Sequence, residues 1–271
     1  MVLPMRVSRS ETSATSPQPT LWRAVGALML REMATSHGRM PGGYLWAVAE
    51  PLLGIALLSA IFAITFHAPA LGTSFPLFYA TGLLPFLAFS DITTKLAQAL
   101  NFSRPLFAYP AVGVMDALLA RFLLAGLTQV AVASLLISGI LFLSETRATP
   151  DLPTLAQAAG LLLALSFGIG ATNCLLIGLL PLWQRIWAIL MRPMFLVSGV
   201  FFTFEAVPLP WRDLLWWNPL VHLVGLVRRG LYPGYDAAFV SPLYLLGLGL
   251  GLSLLAGLGL RRWSQDILSD L

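Results

Sequence analysis

The sequence predicts an all-α, polytopic membrane protein with six transmembrane helices, an N-terminal amphipathic helix lying on the membrane surface, and a re-entrant segment before the last span. Three observations carry that expectation. Hydrophobic residues make up 58% of the 271 residues and charged residues only 10%, with a mean hydropathy of +0.81, whereas soluble domains carry about 25% charged residues. The apolar residues fall in runs of about twenty, the length that crosses ~30 Å of hydrocarbon at ~1.5 Å per residue. The basic residues sit at the edges of these runs and concentrate on one side.

Residues 1–19 are polar and Pro-interrupted, so they read as a disordered cytoplasmic tail and not as a cleaved signal peptide. The rest, 20–271, reads as one transmembrane domain. Within 20–38, Leu21, Trp22, Val25, Leu28, Met29 and Met33 share one helical face, with Arg23, Arg31 and Glu32 largely on the other, the pattern of an interfacial helix. Apolar runs follow at 44–66, 75–100, 117–143, 155–180, 186–204 and 243–260, bounded by Pro, Gly or charge. Between the second and third, residues 101–116 contain Pro105, Pro110 and Gly113 and form a short cytoplasmic element. Between the fifth and last, residues 205–241 hold Pro208, Pro210, Pro219 and Pro233 among Trp211, Trp216, Trp217, Tyr232 and Tyr235. That stretch is too apolar for a free loop and too broken for a span. It is expected to dip into the membrane, where irregular backbone is tolerated only against protein or a watery cavity.

Six spans place both termini on one side, and that side receives Arg6, Arg9, Arg23, Arg31, Arg39, Arg104, Arg121, Arg185, Arg192, Arg261 and Arg262. The other receives only Arg147, Arg212, Arg228 and Arg229, so the termini are predicted to be cytoplasmic. The pI near 9.6 reflects this topology and not a nucleic-acid partner, because the charges follow the membrane edges and form no single stripe.

Little in the chain points to catalysis. Its one lysine, Lys95, follows Thr94, so no Gly-Lys-Ser/Thr phosphate loop can be written. His37, His67 and His222 are far apart with no HExxH, and Ser253 lacks a nucleophile-elbow setting. Cys174, the single cysteine, excludes an intrachain disulfide and a thiolate-rich metal site. Gly247, Gly249 and Gly251 suit close helix packing. The acids are too thinly scattered for a membrane-embedded transferase. Asp91 and Lys95 stand four apart in the second run, about 24 Å from its start, and Gln98 follows on the same face. They read either as an intrahelical ion pair near the interface or as a polar stripe on a translocation path. The aromatics of 205–241 read either as an interfacial belt or as a sugar-contacting exit gate at Trp211, Trp216 and Trp217.

The stretches LREMATSHGRMPGGYLWAVAEPLL, FPLFYATGLLPFLAFS, LFAYPAVGVMDALLAR and LLWWNPLVHLVGLVRRGLYPGY together resemble the permease of capsular polysaccharide ABC exporters, relatives of O-antigen and teichoic acid exporters. The resemblance runs from about Pro19 onwards; YLWAxxEP and WNPLxHLxxLxRxGLxPGY are its more specific parts. It implies a six-span subunit that forms a homodimer and pairs with two copies of a separate ATP-binding cassette subunit. That complex moves a lipid-linked polysaccharide across the inner membrane through a channel at the dimer interface. The chain itself then binds no cofactor, with ATP and Mg held by the partner; a periplasmic co-polymerase or adaptor protein would complete the export route. O-antigen, teichoic acid or small amphiphiles are the alternative cargo. By position, the ATPase-coupling residues are Arg31, Arg104, Phe107, Tyr109 and Asp116. The path or exit residues are Asp91, Lys95, Trp211, Trp216, Trp217, Arg212, Arg228 and Arg229, the last three suited to attracting an acidic polymer. The chain departs from the pattern in carrying SHGRMPGG where a more basic stretch is expected before the first span.

Overall fold

The computed structural model describes residues 21–34, 43–107, 113–144 and 149–270, so the expected tail (1–19) and Tyr109 lie outside the described residues. These residues form ten α-helices and no strand: α1 Leu21–Glu32, α2 Gly43–Thr65, α3 Phe75–Ala97, α4 Ala99–Ser103, α5 Val114–Leu143, α6 Leu152–Leu179, α7 Trp183–Val197, α8 Trp211–Trp216, α9 Pro219–Leu231 and α10 Pro242–Asp270.

Helix α3 is the axle of the bundle. Ser74 caps it, accepting from the Leu77 amide, and Pro76 occupies its first turn, where a missing amide costs nothing. It is buried along most of its length because α2, α5, α6 and α9 all pack on it. Gly54 meets Leu83 and Phe62 meets Tyr79, so α2 and α3 are antiparallel. Arg121 reaches Gln98 and Gln129 reaches Asp91, so α3 and α5 are antiparallel as well. Gly170 lies against Thr93 and Leu96, while Leu155 meets Gly230, whose neighbour Arg228 on α9 reaches Thr81; α6 therefore runs parallel to α3. Gly168 and Gly249 lie backbone to backbone and Gly259 meets Leu175, which sets α10 parallel to α6. The start of α2 and the finish of α10 therefore share the inner end of the bundle, and α3, α6 and α10 all begin at the outer end.

The glycine expectation is met at one position only. Gly249 packs on Ala164 and Leu165, whereas Gly247 and Gly251 have nothing within 4 Å.

Five helices among the described residues are long and apolar enough to cross a membrane: α3, α5 and α6, together with 45–65 of α2 and 242–263 of α10. The run at 186–204 folds differently. Its helix, α7, starts earlier and stops at Val197 after 15 residues, about 22 Å. The helix stops because Gly199 adopts φ +80°, a conformation that an L side chain resists, and Val200 then packs against Gly82 of α3. Because α6 ends at the inner end and α10 starts at the outer, the return between them is made by α7 together with the 198–241 segment, which carries the short helices α8 and α9.

A second difference concerns α1. Its inward face carries Val25 and Glu32, two turns apart, while Trp22 is exposed. Glu32, expected on the polar outer face, is buried because Arg121 of α5 lies opposite it.

Candidate coupling and translocation surfaces

At the inner end three elements meet around Arg121. Its guanidinium pairs with Glu32 of α1 at 3.0 Å, donates to the Gln98 carbonyl at 3.2 Å, and lies 4.3 Å from the centre of the Phe102 ring. Gln98 sits where α3 breaks into α4, and its carbonyl accepts both from the Phe102 amide at 3.0 Å and from Arg121. A buried pair of this kind is costly to open from one side, because the remaining charge has no water to take its place. Beside the packing of Val25, Arg121 ties the surface helix to the membrane bundle, and sequence reading gave no hint of it: Arg121 looked like an edge arginine and Glu32 like a solvated acid.

Four of the five expected coupling residues belong to the elements that meet at this junction or adjoin it. Arg31 is exposed on α1, and Arg104 is exposed at the start of the 3-10 turn that follows α4. Phe107 is half-buried against the core, and its amide bonds the Arg104 carbonyl. Asp116 accepts from the Gly113 amide at 2.9 Å and so caps α5. Residues 108–112 lie outside the described residues.

Further out, Lys95 donates to Asp91 at 2.8 Å, and both side chains remain about a third exposed at 32% and 31%. The amide of Gln129 on α5 donates to the same Asp91 oxygen at 2.8 Å. The pair is therefore a three-member polar cluster bridging α3 and α5. Gln129 also lines a groove of about 560 Å³ between α3, α5 and α6, whose other walls are mostly apolar, including Leu84, Ala133 and Leu162. Polar groups inside a bilayer are retained where they bond one another across helices.

At the outer end the expected exit residues separate into two groups. Trp211 and Trp217 are each 66% exposed and Arg229 is exposed. Arg212 is half-buried, donating to the carbonyls of Val207 and Glu205 at 2.8 Å each, so it closes its own loop. Arg228 departs furthest from its expected setting. Only 2% exposed, it donates to the carbonyls of Phe202 (2.7 Å) and Val200 (3.3 Å), reaches Thr81 Oγ1 at 3.4 Å, and lies 4.3 Å from the centre of the Phe78 ring. The carbonyls of the 198–203 turn have left the α7 ladder and need donors, and a planar guanidinium supplies several at once. It presents no charge at the chain's surface.

His222 was not singled out by the sequence and proves to be the second fastening. It is fully buried; Nε2 donates to the Trp216 carbonyl at 2.7 Å and Nδ1 accepts from the Ser241 amide at 3.1 Å, an arrangement that fixes a neutral tautomer. The rings of Trp216, Phe239 and Tyr244 surround it. At the far end of α9, the Asp151 amide donates to the Gly230 carbonyl. Helix α9 is thereby strapped to the starts of both α6 and α10. Tyr235 donates to Glu205 across the outer rim.

This architecture has a counterpart in known sequences. The profile of the family described as ABC-2 type transporter matches residues 23–232. This chain belongs to the ABC-2 type transporter family. Among similar proteins of that family's kind, the polysialic acid transport protein KpsM of Escherichia coli is 36% identical over 242 residues, covering 89% of this chain and 93% of KpsM. The capsule polysaccharide export inner-membrane protein CtrC of Neisseria meningitidis is 25% identical over 249 residues (90% and 92%), and BexB of Haemophilus influenzae, with the same description, is 23% identical over 246 residues (90% and 92%). The ABC-2 match takes in most of α1 and all of α2 to α9, including Glu32, Arg121, His222 and Arg228, whereas Tyr235, Phe239, Ser241 and α10 lie beyond it; it makes this chain a membrane subunit of a transporter.

Proposed function

We propose that this ABC-2 chain is the transmembrane subunit of an ATP-driven exporter that moves a lipid-linked, acidic capsular polysaccharide out of the cytoplasm across the bacterial inner membrane. The observation that carries the reading is the likeness, over about nine tenths of both chains, to proteins named for capsule polysaccharide export and polysialic acid transport. In this reading two copies of the chain enclose the path, two copies of a separate ATPase bind at the inner end, and both termini are cytoplasmic. A periplasmic co-polymerase or adaptor protein receives the polymer. ATP and Mg belong to the partner, since the chain's only lysine stands outside any phosphate loop.

The inner-end geometry supports a coupling role for Arg31, Arg104, Phe107 and Asp116; Tyr109 is assigned to the same role by its sequence position alone. A push on α1 or on the α4 turn reaches α3 and α5 through the Glu32, Arg121 and Gln98 contacts without passing through a flexible link. Asp91 and Lys95, with Gln129, offer a polar stripe beside the path, and Trp211, Trp217 and Arg229 offer an exposed exit rim.

The test is co-purification with the neighbouring ATPase. The wild-type chain is expected to retain it and to stimulate ATP hydrolysis. Arg104→Glu, which touches no span, should weaken the association about tenfold or uncouple hydrolysis while leaving membrane insertion intact. A chain that neither binds the ATPase nor changes its turnover contradicts the reading.

A further inference from the structure

The least settled charge in the structure is on α7. This helix rests on the bundle through Trp187, Met191, Met194 and Phe195, and none of its residues is buried. Arg185 and Arg192 lie seven residues apart, so they are separated by only ~20° around the helix and ~10 Å along it, on the side turned away from the bundle. Both are exposed, and among the described residues neither has an acid or a carbonyl oxygen within bonding distance.

Neighbouring contacts fix the depth of these residues. Trp183 Nε1 donates to Asn173 of α6, one turn past Gly170, and Gly170 lies against Thr93 and Leu96; α7 therefore starts level with the inner end of α3. Near its finish the Phe195 ring lies 5.2 Å from that of Phe86. Arg192, one turn earlier, is level with Phe89, about 21 Å from the outer start of α3 and about 12 Å from its inner finish. An arginine at that depth with no protein partner is not held against hydrocarbon; such residues face a partner or a water-filled cavity.

We propose that the outward face of α7 is a wall of the water-filled path, with Arg185 and Arg192 as successive cationic contacts for the acidic polymer. The proposal rests on the exporter reading above. The occupant follows from charge: two guanidinium groups on one stripe with no acid beside them suit a chain of carboxylates or phosphates. Apolar Ile189 and Leu196 beside them, 63% and 59% exposed, keep each grip weak enough for the polymer to move on. Arg185, level with the inner end, meets the polymer first and Arg192 takes it deeper.

Two measurements in the source bacterium test this, both in a Cys174→Ala background. An Arg192→Cys variant is expected to react with a hydrophilic, membrane-impermeant thiol reagent in inverted vesicles or intact cells, whereas Leu254→Cys, on an exposed and uncharged stretch of α10, is not. Arg192→Gln should lower surface polymer about tenfold or more while chain level and ATPase association stay normal, with Arg192→Lys keeping most export and Arg185→Gln losing part of it. The proposal is overturned if Arg192→Gln exports like the wild type, or if the Arg192→Cys thiol is as unreactive as that of Leu254→Cys, which would mean a second copy or lipid covers it. If deleting the whole chain leaves surface polymer unchanged, the exporter reading fails and this inference with it; a deletion that abolishes export beside a normal Arg192→Gln strain sinks the inference alone.

Discussion

Replacing Arg228 with alanine is expected to destabilise the purified chain by about 3 kcal/mol or more, since charge-assisted hydrogen bonds contribute ~1.5–3 kcal/mol each and the acceptors left behind are buried. Two carbonyls of the 198–203 turn depend on it, and the turn in turn sets how α7 leaves the bundle and how α9 sits on α3. Arg228→Lys should recover part of this loss but not all, because an ammonium cannot reproduce a planar fork that reaches both carbonyls and Thr81. Denaturant titration in detergent reads the difference. A variant that is as stable as the wild type but fails to export would return Arg228 to the polymer-contacting role that its sequence position suggested.

The second large effect is expected at Gly168. A Cβ there would fall on the Gly249 carbonyl, and one on Gly249 would lie 2.9 Å from the Ala164 carbonyl. Both obstacles are backbone and cannot rotate aside. Gly168→Leu must therefore part α6 from α10, the broadest helix contact in the bundle, and should exceed the ~1–3 kcal/mol typical of overpacking. Gly247→Leu and Gly251→Leu, where nothing stands within 4 Å, should express and fold at near wild-type levels. Comparing the folded fraction recovered from membranes separates the two classes; equal recovery would mean that α6 and α10 do not touch as described.

The spans were legible because hydrocarbon imposes a length and a composition on each of them. The runs at 75–100 and 155–180 needed no more than that to be found, and α3 and α6 match them within a few residues. The run at 186–204 misled for the same reason: apolar composition persists through Phe204, but the backbone obeys Gly199 and the packing of Val200 on Gly82, which is a tertiary fact. The site was less legible. Asp91 and Lys95 were found from their i, i+4 spacing, yet their third member, Gln129, sits 38 residues from Asp91, in an apolar run that offers no cue. Glu32 was assigned to the wrong face because a helical wheel carries no information about Arg121, and a wheel places an acid in water by default. Arg228 and Arg229 are indistinguishable as neighbours in sequence; only the turn carbonyls facing one of them decide that it is buried and the other exposed.

Transport of capsular polysaccharide by this ABC-2 chain should be visible as ATP-driven polymer uptake into inverted inner-membrane vesicles. The probe is the source bacterium's own capsular polysaccharide, extracted with its lipid anchor intact. Uptake is expected to require ATP and the chain together, to disappear in vesicles from a strain lacking the chain, and to return when the chain is restored. Uptake of the same extent in vesicles without the chain would contradict the account.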